Sequence, residues 1–324
     1  MSEKNYTRIV VGTIGALFLI IYGLAWFFPE EYYMPDGYGP LMAQKDHVME
    51  DSTQQEILLL GDSRMKADVF AYELGDNVHN LALSASSPIE LYYTLKNYME
   101  HHPKPKAVFI AFAPMHYQVK GYYLRGLQCM RYFDNATIDE ISKVIKEYDG
   151  KDYTNETFGY KYRLPNIYMK PILKGFIHSR WKENTESYQQ AKDYRGRNFY
   201  EFGNKEMKEV HSPELTQESF ICLGFINYYM EKAIELCLVN NIPIYIEQMP
   251  MGNPGYDMLV ERGYIADHTQ YMKQLHDKYQ IPVNYDIPVY PAECFFDDSH
   301  LNEKSAEKFT AEFRKKYNFI FDAE

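Results

Sequence analysis

The stretch Glu56-Ile57-Leu58-Leu59-Leu60-Gly61-Asp62-Ser63-Arg64 decides the fold. A short apolar run that stops at a glycine reads as a buried strand ending in a tight turn, and the residues after Ser63 can continue as a helix. A serine on such a turn stands at the carboxyl end of a sheet, where the backbone N–H groups that follow point toward a reacting carbonyl. The turn lacks the G-x-S-x-G elbow. Near the other end of the chain, Phe296-Asp297-Asp298-Ser299-His300-Leu301-Asn302 supplies a histidine and carboxylates. A serine hydroxyl is a weak nucleophile until an imidazole takes its proton, and the imidazole needs an acceptor that sets its tautomer. Ser63, His300 and Asp297 are the candidate nucleophile, base and orienting acid. Each piece also has a plainer use: Gly-Asp-Ser is a common turn sequence, and Asp297 with Asp298 would suit the cap of a helix beginning near Asn302.

Outward from this stretch, strand patterns recur at Glu56–Leu60, Val78–Leu83, Ala107–Phe112 and Ile242–Gln248, with a weaker one near Val283–Tyr285. Helical patterns lie between them at Pro88–His101, Thr216–Asn240 and Met258–Tyr279, and another follows His300. Strands alternating with helices predict an α/β fold with a mostly parallel sheet covered on both faces. Functional groups then gather at the carboxyl ends of the strands, where Ser63, Ala85 and Pro114 fall. The interval of about 121–213 breaks the rhythm and reads as an insertion packed over the active-site face, a common way to shape substrate entry. His116, Tyr117, Arg125 and Arg131 follow the third strand, and an ordinary surface role is the plainer reading of each. The 31 tyrosines suit sugar-stacking surfaces, since an aromatic ring has an apolar face and a hydrogen-bonding edge; for any one of them, half-burial in the core is the simpler use.

The ends and the composition bound the setting. Ile9 to Phe28 is an almost unbroken apolar run without charge, and about 20 such residues span the hydrocarbon core of a bilayer. Its bulky Trp26-Phe27-Phe28-Pro29 end offers no small-residue cleavage site, which favours an uncleaved anchor over a signal peptide. Lys4 and Arg8 precede the span and Glu30, Glu31 and Asp36 follow it, so the positive-inside rule leaves the N-terminus cytoplasmic. The expected organisation is a short cytoplasmic tail over 1–8, a transmembrane anchor over 9–28, a stalk or wrapping segment over 29–55, and one large domain over 56–324. The protein is then expected to cross a membrane once, with its large domain outside the cytoplasm. A net charge of −11 without a basic stripe argues against a nucleic-acid partner. Cys129, Cys222, Cys237 and Cys294 show no spacing suited to zinc, and no metal or cofactor is expected. On one continuous helix Cys222 and Cys237 would stand about 22 Å apart, too far to pair; whether Cys129 meets Cys294 is left open.

The two chemistry-bearing blocks resemble those of SGNH (GDSL-type) hydrolase-fold proteins. Gly61-Asp62-Ser63 and Asp297-Asp298-Ser299-His300 match that family's N-terminal and C-terminal blocks in type, spacing and order. Asn80-Leu81-Ala82-Leu83-Ser84-Ala85-Ser86 is similar to its second block, with Ala85 in place of the usual glycine. The third block, which normally carries an Asn, falls near Ala111–His116, and no Asn is present. The resemblance implies a three-layer α/β/α sandwich, a Ser63–His300–Asp297 triad, and an oxyanion hole from the backbone N–H groups of Ser63 and Ala85. With the anchor it looks like the DltD-like branch, in which single-anchor proteins work beside a membrane-bound O-acyltransferase that serves as acyl donor. The alginate acetylation proteins share the chemistry but carry the Asp/His block before the serine. The implied activity is an extracytoplasmic O-acyl transfer, of acetyl before other acyl groups, to an exopolysaccharide or cell-wall polymer. An anchored carbohydrate esterase and a non-catalytic scaffold for the acyltransferase are the competing expectations.

Overall fold

The computed structural model describes residues 2–35, 37–118, 130–197, 203 and 205–322. These divide into two compact units, one from the described residues of 1–39 and 124–188, the other from those of 40–123 and 189–324.

The second unit is α/β. Its sheet has four parallel strands, β1 (Ile57–Gly61), β2 (Val78–Asn80), β3 (Ala107–Ala111) and β4 (Ile244–Glu247), in the order β2-β1-β3-β4. Ile57 lies opposite Ala107 and Gly61 opposite Ala111. Every residue of β1 and β3 is buried, as unbroken apolar runs require when both faces of a sheet are covered. Side chains alternate between those faces. Ile57, Leu59 and Phe109 share one core with Phe313, Tyr317 and Phe321 from the end of the chain. The helices Pro88–His101 and Gly224–Val239 pack on each other and against β1 and β4. A separate pair, β5 (Met251–Gly252) and β6 (Val289–Tyr290), is also parallel.

Several elements depart from their sequence patterns. The Val283–Tyr285 pattern forms only an isolated bridge from Val283 to Ile246. Met258–Tyr279 is broken into Gly255–Glu261 and Tyr264–Tyr279, because Gly263 adopts φ +77° between them. Thr216–Asn240 begins as a helix only at Gly224, so Cys222 precedes it. The one-helix argument against a Cys222–Cys237 pair therefore fails in its premise; both thiols are nonetheless free, as is that of Cys294. Cys129 lies outside the described residues. Segment 29–55, expected as a stalk or wrapping segment, carries a 3-10 turn at Glu30–Tyr32 and a helix at Tyr38–Met49. The interval of about 121–213 is not one body: its described residues between 124 and 188 cluster with those of 1–39, and the described ones from 189 onward belong to the α/β unit.

In the first unit, the helix Glu3–Phe27 is 25 residues long and apolar enough to cross a membrane. Only Ile21 and Ala25 are buried along it. The helix Pro165–His178 packs against it. Glu30 holds Arg163 Nη2 at 2.9 Å and Arg131 Nε at 3.4 Å, so Arg131 acts within this unit.

One buried group in the α/β unit makes a stability prediction. Lys66 is 2% exposed and, among the described residues, has no hydrogen-bond or ion-pair partner; burial alone pushes its ammonium down to about 7. The unfolded chain, with an ordinary lysine, binds this proton up to much higher pH. Stability should therefore rise as pH climbs from about 7 toward about 10, where the unfolded lysine also loses its proton. Lys66→Met is expected to raise the melting temperature at pH 7 and to flatten that rise, by an upper limit on the order of 5 kcal/mol at about 1.36 kcal/mol per pKa unit. Thermal unfolding of the full chain in detergent at a series of pH values checks this. An unchanged pH slope in the variant would show that Lys66 keeps its proton inside the fold.

Candidate active site

The sheet delivers Ser63 where the sequence places it. Gly61 ends β1 at φ +153°, and a Cβ there would stand 1.9 Å from the Ala111 carbonyl oxygen. Only glycine lets the turn pass this close to β3. Asp62 then caps the helix Ser63–Asp68, its side chain accepting the Arg64 N–H at 2.8 Å. Ser63 is thus the first helical residue, half-buried, at the carboxyl end of a central strand.

His300 meets it from the other end of the chain. Its Nε2 lies 2.8 Å from Ser63 Oγ, and its Nδ1 lies 3.0 Å from each oxygen of Asp297. Because Nδ1 faces a carboxylate, which only accepts, the proton of a neutral ring belongs on Nδ1 and the Nε2 lone pair is turned to the serine hydroxyl. Asp297 is itself held by the N–H groups of Ser299 and His300, each at 2.8 Å. Burial pushes the Asp297 carboxyl up, but the His300 hydrogen bond and charge with those two N–H donors outweigh it and hold the group below the usual carboxylate range. Asp298 faces elsewhere, accepting the His211 N–H at 2.7 Å. The capping use considered for these carboxylates falls to Asn302, whose side chain accepts the Ser305 N–H ahead of the helix Glu303–Lys316.

Ala85, the second expected oxyanion donor, sits exposed in the left-handed region at φ 54°. A glycine would adopt this conformation without strain. Among the described residues, the N–H groups of Ser63 and Ala85 find no acceptor within the chain, which leaves both available to an incoming oxygen.

The loops that frame Ser63 are joined by buried groups whose pairing the sequence did not reveal. Asp62, fully buried, accepts the Ala113 N–H at 2.6 Å and lies 3.2 Å from His116 Nε2. The other nitrogen of His116 is 2.6 Å from the Ser86 carbonyl, and Ser86 Oγ donates to the Gly61 carbonyl at 2.8 Å. One buried chain of contacts thereby ties the nucleophile turn, the Ala85 loop and the loop after β3. His116 and Tyr117 are accordingly buried, not ordinary surface residues; Arg125 lies outside the described residues. Behind Ser63, Arg64 is 3% exposed and pairs with Glu214 at 2.8 Å and 3.1 Å. Burial opposes its charge, and Glu214 more than restores it. At the helix end, Asp68 Oδ1 accepts the Leu301 N–H at 3.1 Å, holding the residue after His300 to the serine's own helix. Burial raises the Asp68 carboxyl well above its ordinary range.

One group offers a metal test. At the start of β1, the ligand atoms of His47, Glu56 and His79 lie within 4.8 Å of one another. The two imidazoles are stacked, however, 3.6 Å between centroids and 12° between planes. Imidazole lone pairs lie in the ring plane, so those of a parallel stack do not converge on one ion. Glu56 is already engaged by His47 at 3.0 Å and by the Tyr98 hydroxyl at 2.9 Å. These residues fit a hydrogen-bonded stack better than a metal centre.

The arrangement at Ser63 has the parts of an acyl-transfer site: a hydroxyl facing an imidazole, a carboxylate orienting the ring, and unused N–H donors. Comparison with protein-family models, with curated proteins and with solved structures finds no match.

Proposed function

We propose that the chain is a serine-dependent O-acyltransferase of the SGNH type, anchored in a bacterial cytoplasmic membrane and working on its outer side. The observation that carries this reading is the 2.8 Å contact between Ser63 Oγ and His300 Nε2, with Asp297 on the opposite ring nitrogen. In the first half-reaction Ser63 Oγ attacks an acyl carbonyl while His300 Nε2 takes its proton. The N–H groups of Ser63 and Ala85 receive the oxyanion, and His300 returns the proton to the departing oxygen, leaving an acyl-serine. In the second, His300 takes a proton from an acceptor hydroxyl, that oxygen attacks the acyl-serine, and Ser63 regains its proton as the new ester leaves.

The acceptor decides between transfer and hydrolysis. The His300 side chain is 14% exposed and that of Asp297 41%, so the site is reachable from solvent, as either a polymer hydroxyl or water requires. With the long N-terminal apolar helix, this favours a surface polysaccharide or wall polymer as acceptor, acetyl as the acyl group, and a membrane-bound O-acyltransferase as donor. An anchored esterase would use the same residues. Measuring polymer ester content in a deletion strain separates the two: transfer predicts a fall, restored by the wild-type chain but not by a Ser63→Ala chain. A rise would identify a deacylase and overturn the transferase reading.

A further inference from the structure

The apolar surface of the first unit does not end with its long helix. On the helix Pro165–His178, Met169, Leu173, Phe176 and Ile177 are exposed at 48%, 51%, 49% and 75%. Their spacing of i, i+4, i+7 and i+8 puts them on one stripe. The buried residues Pro165, Tyr168, Ile172 and Gly175 occupy the adjacent face. Beyond the stripe on its other side come Lys170 and Lys174, both exposed. The helix therefore has one face against protein, one apolar and open, and one cationic.

Its position relative to the long helix gives the open face an occupant. Phe176 packs on Phe28, 5.2 Å between ring centroids, and Trp181 stacks on Tyr32 at 6.2 Å. Arg163, just before the helix, lies 4.9 Å over the Trp26 ring. A Cβ on Gly175 would stand 2.3 Å from Tyr33 Cα, so the two segments touch backbone to backbone. The long helix buries only Ile21 and Ala25. At about 1.5 Å per residue these lie about 10 Å and about 4.5 Å short of Phe28, the end of the span. Amphipathic helices that lie in a membrane surface sink their apolar face by about 5–10 Å. Leu17, Phe18 and Ile20 on the long helix are likewise exposed and apolar, and lysine stems can reach from such a depth to the phosphates.

We propose that the helix Pro165–His178 lies in the outer leaflet beside the span, with Met169, Leu173, Phe176 and Ile177 among lipid acyl chains and Lys170 and Lys174 at the headgroups. This rests on reading residues 9–28 as a membrane span. Two helices of the first unit then meet the membrane, Glu3–Phe27 across it and Pro165–His178 at the headgroup level.

The chain has only two tryptophans, Trp26 at the end of the span and Trp181 next to the stripe, which makes the test direct. The full chain is reconstituted in vesicles of phosphatidylcholine and phosphatidylglycerol, with or without bromine at a shallow acyl position. Trp181→Phe leaves Trp26 as reporter of the span. The triple variant Trp26→Phe, Trp181→Phe, Ile177→Trp reports the stripe. The expected result is quenching of both reporters by brominated lipid, with the Ile177→Trp reporter quenched severalfold less by aqueous iodide than free tryptophan. Lipid quenching of Trp26 alone, with iodide reaching the Ile177→Trp reporter, overturns the inference and spares the span. Shielding of that reporter from both quenchers overturns it in favour of a protein contact. No lipid quenching of Trp26 removes the span, and the inference with it.

Discussion

Ser63→Ala is expected to leave the chain folded and to lower turnover of an activated acetyl ester by about 10³-fold or more, the usual cost of losing the nucleophile of such a triad. The substitution removes one half-buried oxygen whose only side-chain hydrogen bond among the described residues is the 2.8 Å one to His300, so the fold loses little. The reaction loses its covalent route. His300→Ala should cost nearly as much, because the hydroxyl left behind has no base. The double variant should be scarcely worse than either single one, since the two groups act as a unit. Steady-state kinetics on the three variants, with melting temperatures to show that each is folded, checks the pattern. Single variants whose losses multiply in the double would mean that Ser63 and His300 act separately.

Gly61→Ala should be severely damaging to the α/β unit. The added methyl would lie 1.9 Å from the Ala111 carbonyl oxygen and 2.9 Å from its carbon, at a backbone φ of +153°. Neither partner can yield easily. β1 and β3 are central, fully buried strands, and the Gly61 carbonyl also accepts from the Leu83 N–H at 3.0 Å and from Ser86 Oγ at 2.8 Å. A loss of at least about 4 kcal/mol is expected, in the range reserved for a severe steric fault. Gly263→Ala supplies the comparison: φ is +77° there, but a Cβ would meet nothing within 4 Å, so conformational strain alone, about 1 kcal/mol, is expected. Equal melting temperatures for the two variants would mean that the β1–β3 approach is looser than described.

Much of the α/β unit was legible because its signals are local. The run Ile57–Leu60 has no polar residue and so reads as a strand buried on both faces. Pro88–His101 carries its own boundaries, a Ser87 cap paired with Glu90 and a proline in the first turn. Ser63, His300 and Asp297 announced themselves by type and immediate context. What the sequence hid is pairing across distance. Arg64 and Glu214 are 150 positions apart and Asp68 and Leu301 are 233; no periodicity connects them. His116 looked like a surface residue because nothing nearby in sequence could bury it, whereas the fold brings Asp62 and Ser86 to its two nitrogens. The interval of about 121–213 misled for the same reason. Its composition marked an insertion, but not that the described residues of 124–188 would cluster with those of 1–39.

If Ser63 is a nucleophile activated by His300, it should react selectively with an electrophile that serine enzymes attack. The most direct measurement is peptide mapping of the full chain after reaction with a serine-directed fluorophosphonate. The account predicts one adduct, on the peptide that carries Ser63, absent from Ser63→Ala and formed far more slowly in His300→Ala. An adduct on another residue, or labelling undiminished in Ser63→Ala, would contradict it.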